Sequence, residues 1–116
     1  MTDPSDGLTF LITGDTLGRG DEELGRQLMG KFLQQLAAQS PKPFVVAFYN
    51  TGVKLLATDS PWLEGIRALE SHGADLIVCG TCVDYFKLRE KLGAGRVSDM
   101  REIVATALRT ARVITV

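Results

Sequence analysis

The chain has 116 residues, enough for one domain with a buried core, and its 45% hydrophobic and 23% charged residues are typical of a soluble globular protein. Thirteen Lys and Arg residues against 14 Asp and Glu residues give a formal charge of -1, which disfavours nucleic-acid or anionic-membrane partners because these need a basic surface. No apolar run is long enough to span a membrane, and the polar start lacks a signal-peptide core. We therefore expect a cytoplasmic protein with a tail or linker remnant at residues 1–7 and a single domain at residues 8–116.

The predicted strands are short, continuous apolar runs. They lie at residues 8–13, 44–49, 75–79, 96–97 and 112–116. Because they alternate with helical segments, they indicate an α/β fold with a parallel sheet covered on both faces. In such sheets ligands bind, and chemistry takes place, at the carboxyl ends of the strands.

Four helices are predicted from the spacing of apolar residues. The second begins at Ser60, the third covers residues 83–92, and the last is capped by Ser98 and has apolar residues at helical spacing as far as residue 111. The first helix begins with acidic residues, ends at the prolines of residues 40–43, and has its expected buried face at Leu24, Leu28, Phe32 and Leu36.

The only two cysteines form the motif Cys79-Gly80-Thr81-Cys82, at the exit of the third strand. Unpaired N–H groups and a partial positive charge at the start of a following helix stabilise a thiolate, which is the nucleophilic form of cysteine. Cys79 continues a buried strand and could be only a small core residue, whereas Cys82 lies beyond it, where its pKa is expected to fall. The motif therefore favours a functional thiol, with Cys82 as the exposed one.

Two further loops leave the predicted carboxyl ends of strands. Residues 14–20 include Gly18 and Gly20 and resemble a phosphate cradle, but they match no nucleotide-binding motif, and the acidic residues that follow would repel phosphate. The other loop contains a predicted turn at Asn50, Thr51 and Gly52. A role in the active site is suggested only by the expected position of this turn near the cysteines. A zinc site is not expected, because such a site needs about four ligands and His72, predicted to be a solvent-facing histidine, is the only other candidate.

The chain resembles the DsrE/DsrF/YchN-like family, and most closely the DsrE-like domain of YedF-type selenium-metabolism proteins. The resemblance extends from residue 8 to residue 116. It rests on residues 18–25, 48–55, 79–86 and 97–103, and the Cys-Gly-Thr-Cys block is its most specific part. It implies a three-layer α/β/α fold with a mostly parallel five-stranded sheet.

The resemblance also implies a role in sulfur or selenium handling, with a persulfide on Cys79 or Cys82. The supporting residues of the site would be Gly18, Gly20, Asn50, Thr51, Gly52, Gly80, Thr81 and Asp84, with no cofactor. YedF-type proteins usually carry an N-terminal TusA-like domain, which for this chain would be lost, removed or supplied in trans. Homo-oligomers are implied, with trimers or hexamers preferred.

Three functions remain open on the sequence. The first is a sulfur or selenium carrier of the sulfurtransferase type, which transfers a sulfane sulfur through one thiolate. The second is a dithiol–disulfide redox protein that forms a reversible bond between Cys79 and Cys82. The third is a non-enzymatic binding module with structural cysteines. Apolar residues of the predicted helix at residues 83–92, among them Tyr85 and Phe86, are expected to contribute to an oligomer surface beside the cysteines.

Overall fold

A computed structural model describes residues 7–39 and 44–116 of the chain. The predicted tail, up to residue 6, and the predicted helix end at residues 40–43 lie outside the described residues. The elements are, in chain order, strand β1 (Leu8–Ile12), helix α1 (Glu22–Ala38), strand β2 (Phe44–Phe48), a 3₁₀ helix (Asn50–Leu56), helix α2 (Leu63–Ser71), strand β3 (Asp75–Cys79), helix α3 (Gly80–Tyr85), strand β4 (Arg96–Ser98), helix α4 (Met100–Arg109) and strand β5 (Arg112–Thr115).

The five strands form one sheet in the order β4-β3-β2-β1-β5, and every pairing is parallel. From β1 to β4, each strand lies next to the preceding one, in the same direction across the sheet. The connection through α4 then returns across the whole sheet to β5, which lies on the other side of β1. Right-handed connections therefore place α1 and α2 on one face and α4 on the other. This arrangement confirms the expected α/β fold with a parallel five-stranded sheet between helices.

The two faces of the sheet are covered unequally. The larger core lies under α1 and α2 and includes Phe10, Val46 and Val78 of the sheet, with Leu33 and Ile66 of the helices. The smaller core lies under α4 and consists of Ala47, Ile77, Cys79 and Ile103. One of the two cysteines therefore belongs to the thinly covered face.

The buried face of α1 differs from the prediction. Leu24 is 53% exposed, and the buried residues are Gly25, Met29, Gly30 and Leu33. Steps of four residues advance about 40° beyond a full turn of an α-helix, so a row of residues four apart drifts around the helix. Gly30 has no side chain, and the Trp62 indole packs where a Cβ would lie, 2.6 Å from the nearest ring carbon.

The predicted helix at residues 83–92 is wrong in position and length. α3 begins at Gly80, inside the cysteine motif, and ends at Tyr85. The following residues form turns that are held against the end of the 3₁₀ helix, where the N–H of Thr58 donates to the Lys91 carbonyl at 2.7 Å and the N–H of Gly93 donates to the Leu56 carbonyl at 2.7 Å. These contacts between segments far apart in sequence replace the helical hydrogen bonds that the local pattern predicted.

Two predicted helix starts are also corrected. α2 begins at Leu63, and Ser60 precedes it in a turn in which its hydroxyl accepts the N–H of Trp62 at 3.2 Å. α4 is capped by Asp99, whose carboxylate accepts the N–H of Glu102 at 2.9 Å. Ser98 instead ends β4 and donates its hydroxyl to the Glu102 carboxylate.

The apolar stripe predicted on α4 is mostly exposed. Ile103 is buried, but Met100, Val104 and Leu108 are 46%, 49% and 81% exposed. Among the described strands β5 pairs only with β1, and all of its residues are exposed. The α4 side of the sheet therefore presents an uncovered apolar surface.

Candidate functional site

The cysteine motif spans the junction between β3 and α3. Cys79 is the last residue of β3, and Cys82 lies in the first turn of α3, whose first residue is Gly80. Cys79 is only 3% exposed and packs in the smaller core, whereas Cys82 is half-buried. Cys82 is therefore the thiol within reach of a second molecule, as its position in the sequence predicted.

The loop after β2 contributes a hydrogen bond to this thiol. The backbone N–H of Asn50 donates to the Cys82 Sγ atom at a distance of 3.0 Å. Asn50 has a φ of 53°, in the left-handed region that asparagine tolerates better than most residues, and its side-chain oxygen accepts the N–H of Thr51 at 2.8 Å. The side chain of Asn50 thus stabilises the turn that directs its own N–H at sulfur.

Glycines allow the loops around the cysteines to approach closely. A Cβ on Gly52 would lie 2.6 Å from the Ile12 carbonyl oxygen, and a Cβ on Gly80 would lie 2.9 Å from the Ser98 carbonyl oxygen. The loop after β1 joins the group through the Asp15 N–H, which donates to the Thr51 hydroxyl at 3.1 Å. The loops after β1, β2 and β3 therefore converge at the carboxyl edge of the sheet, as expected from the topology.

The expected fall in the pKa of Cys82 is wrong. Desolvation by burial raises the pKa of this thiol above its ordinary value, and the neighbouring Cys79 raises it further. The Asn50 N–H acts in the opposite direction, because a hydrogen bond to sulfur favours the thiolate, but burial is the larger effect. The position of Cys82 in the first turn of a helix did not predict this rise in pKa. The burial of Cys82 and its closeness to Cys79 both depend on tertiary packing.

The charges after the motif are paired with each other. Arg89 donates from Nε and Nη2 to the two Asp84 carboxylate oxygens, at 2.7 and 3.0 Å. The guanidinium holds the pKa of the Asp84 carboxyl below its usual range. Arg89 and Asp84 therefore form an ion pair with no net charge beside the motif.

Three of the predicted site residues are exposed to solvent. Thr81 is exposed in the first turn of α3. Gly18 and Gly20 are exposed and have φ values of 82° and 120°, which fit glycine. In the described part of the chain, no hydrogen bond joins these two glycines to either cysteine.

The aromatic residues at the end of α3, which were predicted to contribute to an oligomer surface, meet a lysine that the sequence analysis did not connect with them. The Lys54 ammonium lies 4.5 Å from the centre of the Phe86 ring, and the Tyr85 ring meets Phe86 edge-on at 5.1 Å. Tyr85 is 78% exposed, whereas Phe86, Leu88 and Leu92 are half-buried against the larger core. The expected apolar surface at residues 83–92 is therefore reduced mainly to Tyr85.

Residues 7–39 and 44–116 show neither a metal site nor a membrane span. No group of three or more His, Cys, Asp or Glu side chains there is arranged to hold a metal ion. None of the helices described is both long and apolar enough to cross a lipid bilayer.

Comparison with known proteins identifies the family. The sequence profile of the DsrE/DsrF-like family matches residues 9–116. The chain belongs to the DsrE/DsrF-like family. No curated protein matches it.

Solved structures share the fold of this DsrE/DsrF-like chain at low sequence identity. YchN from E. coli is 12% identical, with a TM-score of 0.74 over 96% of this chain and 99% of YchN. BT1422, a conserved protein of unknown function from Bacteroides thetaiotaomicron, is 17% identical, with a TM-score of 0.70 over 100% of this chain and 99% of BT1422. MTH1491, a protein of unknown function from Methanobacterium thermoautotrophicum, is 19% identical, with a TM-score of 0.65 over 92% of this chain and 98% of MTH1491. These likenesses establish the fold alone.

Proposed function

We propose that this DsrE/DsrF-like protein is a carrier of sulfane sulfur and that Cys82 is the residue that bears the sulfur. The observation that carries the proposal is the contrast between the two thiols. Cys82 is half-buried and receives the Asn50 N–H, whereas Cys79 is 3% exposed in a core. A carrier needs one accessible sulfur atom in a fixed position, and Cys82 meets that requirement.

In the loading step the Cys82 thiolate attacks the terminal sulfur of a donor persulfide, R–S–SH. The donor S–S bond breaks, R–S⁻ leaves, and Cys82 becomes Cys–S–SH. Delivery is the same reaction in reverse order: an acceptor thiolate takes the terminal sulfur and Cys82 returns as a thiolate. The Asn50 N–H remains directed at Sγ, where it stabilises the negative charge each time the thiolate forms.

A dithiol–disulfide reaction is the second candidate, because Cys82 packs against the smaller core that contains Cys79. The Cys79 thiolate would attack the inner sulfur of the Cys82 persulfide and expel HS⁻. The two cysteine sulfurs would be oxidised to a disulfide and the sulfane sulfur reduced to sulfide. A dithiol reductant would then restore the two thiols.

Mass spectrometry tests the carrier proposal directly. The reduced protein is incubated with a persulfide donor and mapped by peptide, together with the variants Cys82→Ser and Cys79→Ser. We expect the mass of one sulfur atom to be added at Cys82, in the native chain and in Cys79→Ser, and to be absent from Cys82→Ser. An unmodified Cys82 in folded, reduced protein would reject the carrier, and a Cys79–Cys82 disulfide with release of sulfide would favour the redox reaction.

The finer assignments are also proposals. The resemblance to YedF-type proteins supports a role in selenium metabolism, a cytoplasmic location and a TusA-like partner in trans. Selenium would be carried as the corresponding selenosulfide on the same residue. Loading experiments with a selenium donor, followed by transfer to a TusA-like protein, would distinguish the two elements by mass.

We further propose that the protein forms homo-oligomers, with trimers or hexamers preferred. The exposed apolar residues of α4 and the single-sided pairing of β5 support an interface on that side of the sheet. Light scattering of the native chain should show more than one copy per particle. Leu108→Glu should shift it towards the monomer, whereas Lys31→Glu, on the opposite side of the sheet, should not. A native monomer at micromolar concentration would reject the proposal.

A further inference from the structure

A groove of about 480 Å³ lies between α1 and α2, on the side of the sheet opposite α4. Pro61 and Trp62 line it with apolar surface, and Trp62 packs against Gly30 of α1. On α2, no atom lies within 4 Å of the position that a Gly65 Cβ would take, so the groove is open there. The polar residues of the lining are Gln27, Lys31, Gln34 and Glu64. The groove therefore offers apolar surface along two neighbouring helices, with polar groups beside it.

The exposed apolar residues of α4 form a stripe that matches a groove of this kind. Met100, Val104 and Leu108 are four residues apart and all exposed, Leu108 by 81%. Residues at this spacing lie near one another on one side of an α-helix, and a helix that binds in a groove uses such residues as its anchors. The 10 residues of α4 span about 15 Å and the 17 residues of α1 about 25 Å, so the stripe fits within the length of α1.

The surface around the stripe is cationic. Residues 96–116 contain four arginines against two acidic residues, and one of the four, Arg96, is paired with carboxylates. The other three are exposed and, among the described residues, have no ion-pair partner: Arg101, Arg109 and Arg112. Two copies that met symmetrically through α4 would bring these arginines together, and like charges at a contact disfavour it.

The surface around the groove is anionic. Residues 21–38 and 57–71, which contain α1 and α2, have six acidic residues against three basic ones. Glu64 lines the groove itself, and Glu23 lies one turn of α1 before Gln27 of the lining. The arginines beside α4 of one copy would therefore meet opposite charge at the groove of another copy.

We propose that α4 of one copy binds in the groove between α1 and α2 of the next copy, so that the oligomer is built from a head-to-tail contact. This rests on the homo-oligomer proposed above and identifies the two surfaces that meet in it. Met100, Val104 and Leu108 pack against Pro61 and Trp62, and the arginines beside the stripe lie near the acidic residues beside the groove. Each copy has one stripe and one groove, so the contact repeats from copy to copy and gives a ring when the rotation between copies closes.

Two variants break the contact from its opposite sides. Leu108→Glu places a carboxylate in the stripe, and Gly65→Arg fills the groove at a position where a Cβ meets no atom within 4 Å. Light scattering should show each variant alone shifted towards the monomer. An equimolar mixture of the two should form particles of two copies, because Gly65→Arg keeps its stripe and Leu108→Glu keeps its groove.

Glu64→Arg tests the charges of the contact. It brings a further cation to the arginines of the next copy and should raise the dissociation constant of the assembly about fivefold. Glu90→Arg makes the same change of charge outside the groove and should leave the assembly unchanged. Lys31→Glu adds negative charge to the groove and should not weaken the assembly. Circular dichroism of each variant verifies that the fold is retained.

The outcomes separate this contact from the homo-oligomer itself. An oligomer that persists in both Gly65→Arg and Glu64→Arg would overturn the groove contact and leave the homo-oligomer intact. Folded Leu108→Glu and Gly65→Arg variants that are monomeric but do not combine in the mixture would overturn the head-to-tail arrangement. A monomeric native chain would overturn the homo-oligomer together with this inference.

Discussion

The substitution Gly52→Ala should damage the protein and its thiol site together. Gly52 is buried in the first turn of the 3₁₀ helix, and its N–H donates to the Tyr49 carbonyl at 3.1 Å. A Cβ at this position would lie 2.6 Å from the Ile12 carbonyl oxygen and 3.4 Å from the Gly14 nitrogen. Both are backbone atoms at the end of β1, which lies between β2 and β5 and has little freedom to move.

The distances set the size of the effect. A carbon atom normally stays about 3.3 Å or more from a carbonyl oxygen, so the turn must move by roughly 0.7 Å. Overpacking of a rigid core costs about 1–3 kcal/mol. The same carbonyl accepts the Tyr49 N–H at 3.1 Å, and weakening that hydrogen bond adds about 1 kcal/mol. We therefore expect Gly52→Ala to lower the free energy of unfolding by about 3 kcal/mol, a large part of the 5–15 kcal/mol of a typical domain.

The displacement also reaches Cys82, because Asn50 lies in the same turn. A longer hydrogen bond from the Asn50 N–H removes an influence that lowers the pKa of Cys82, so that pKa should rise further in Gly52→Ala. Urea unfolding followed by circular dichroism gives the stability, and the pH dependence of thiol alkylation in Cys79→Ser backgrounds gives the pKa of Cys82.

Gly65→Ala is the matched control for this substitution. No atom lies within 4 Å of a Cβ at Gly65, which is inside α2. Alanine there should stabilise the protein by about 0.5–1 kcal/mol through its helix propensity and leave the thiol unchanged. The reasoning fails if Gly52→Ala unfolds within about 0.5 kcal/mol of the native chain, as a surface substitution would.

Three further outcomes are expected. Cys79→Ala should lower the pKa of Cys82, because Cys79 raises it, and alkylation of Cys82 at neutral pH should become faster; an unchanged rate would refute the coupling. Glu102 has its pKa lowered to about 2 by Arg96 and Ser98, so its stabilisation is present above its ordinary pKa of 4.5 and is lost as the pH falls towards 2. Glu102→Gln should therefore lower the free energy of unfolding by roughly 1 kcal/mol at pH 7, a figure reduced for the exposure of the carboxylate. The difference from the native chain should vanish near pH 2. Glu90→Gln is the control, and a difference that does not depend on pH would count against the ion pair. Asp99→Ala should lower the thermal midpoint by removing the cap of α4, at a cost of about 1 kcal/mol, and an unchanged midpoint would contradict that role.

Strands were predicted more accurately than helix boundaries, for a physical reason. The strand at residues 75–79 was predicted to the residue, because its apolar run is buried on both faces and its limits are set by its own composition. The limits of α3 depend on contacts with the end of the 3₁₀ helix, more than 30 residues earlier in the chain. Leu108 is exposed because α4 covers little of the sheet. The spacing of apolar residues along a helix does not predict how much of a sheet that helix covers.

In the functional site, too, some properties follow from the sequence and others from the tertiary structure. The sequence by itself determined that this is a parallel α/β domain, that its two thiols lie at the end of a buried strand, and that Cys82 is the more accessible of them, because each follows from local composition and order along the chain. Only the tertiary structure decided that the Asn50 N–H meets the Cys82 sulfur, that burial and Cys79 raise the pKa of Cys82, and that the charge of Arg89 is taken up by Asp84. These properties are set by distances of about 3 Å between groups that the fold brings together, and electrostatic and desolvation energies depend on those distances.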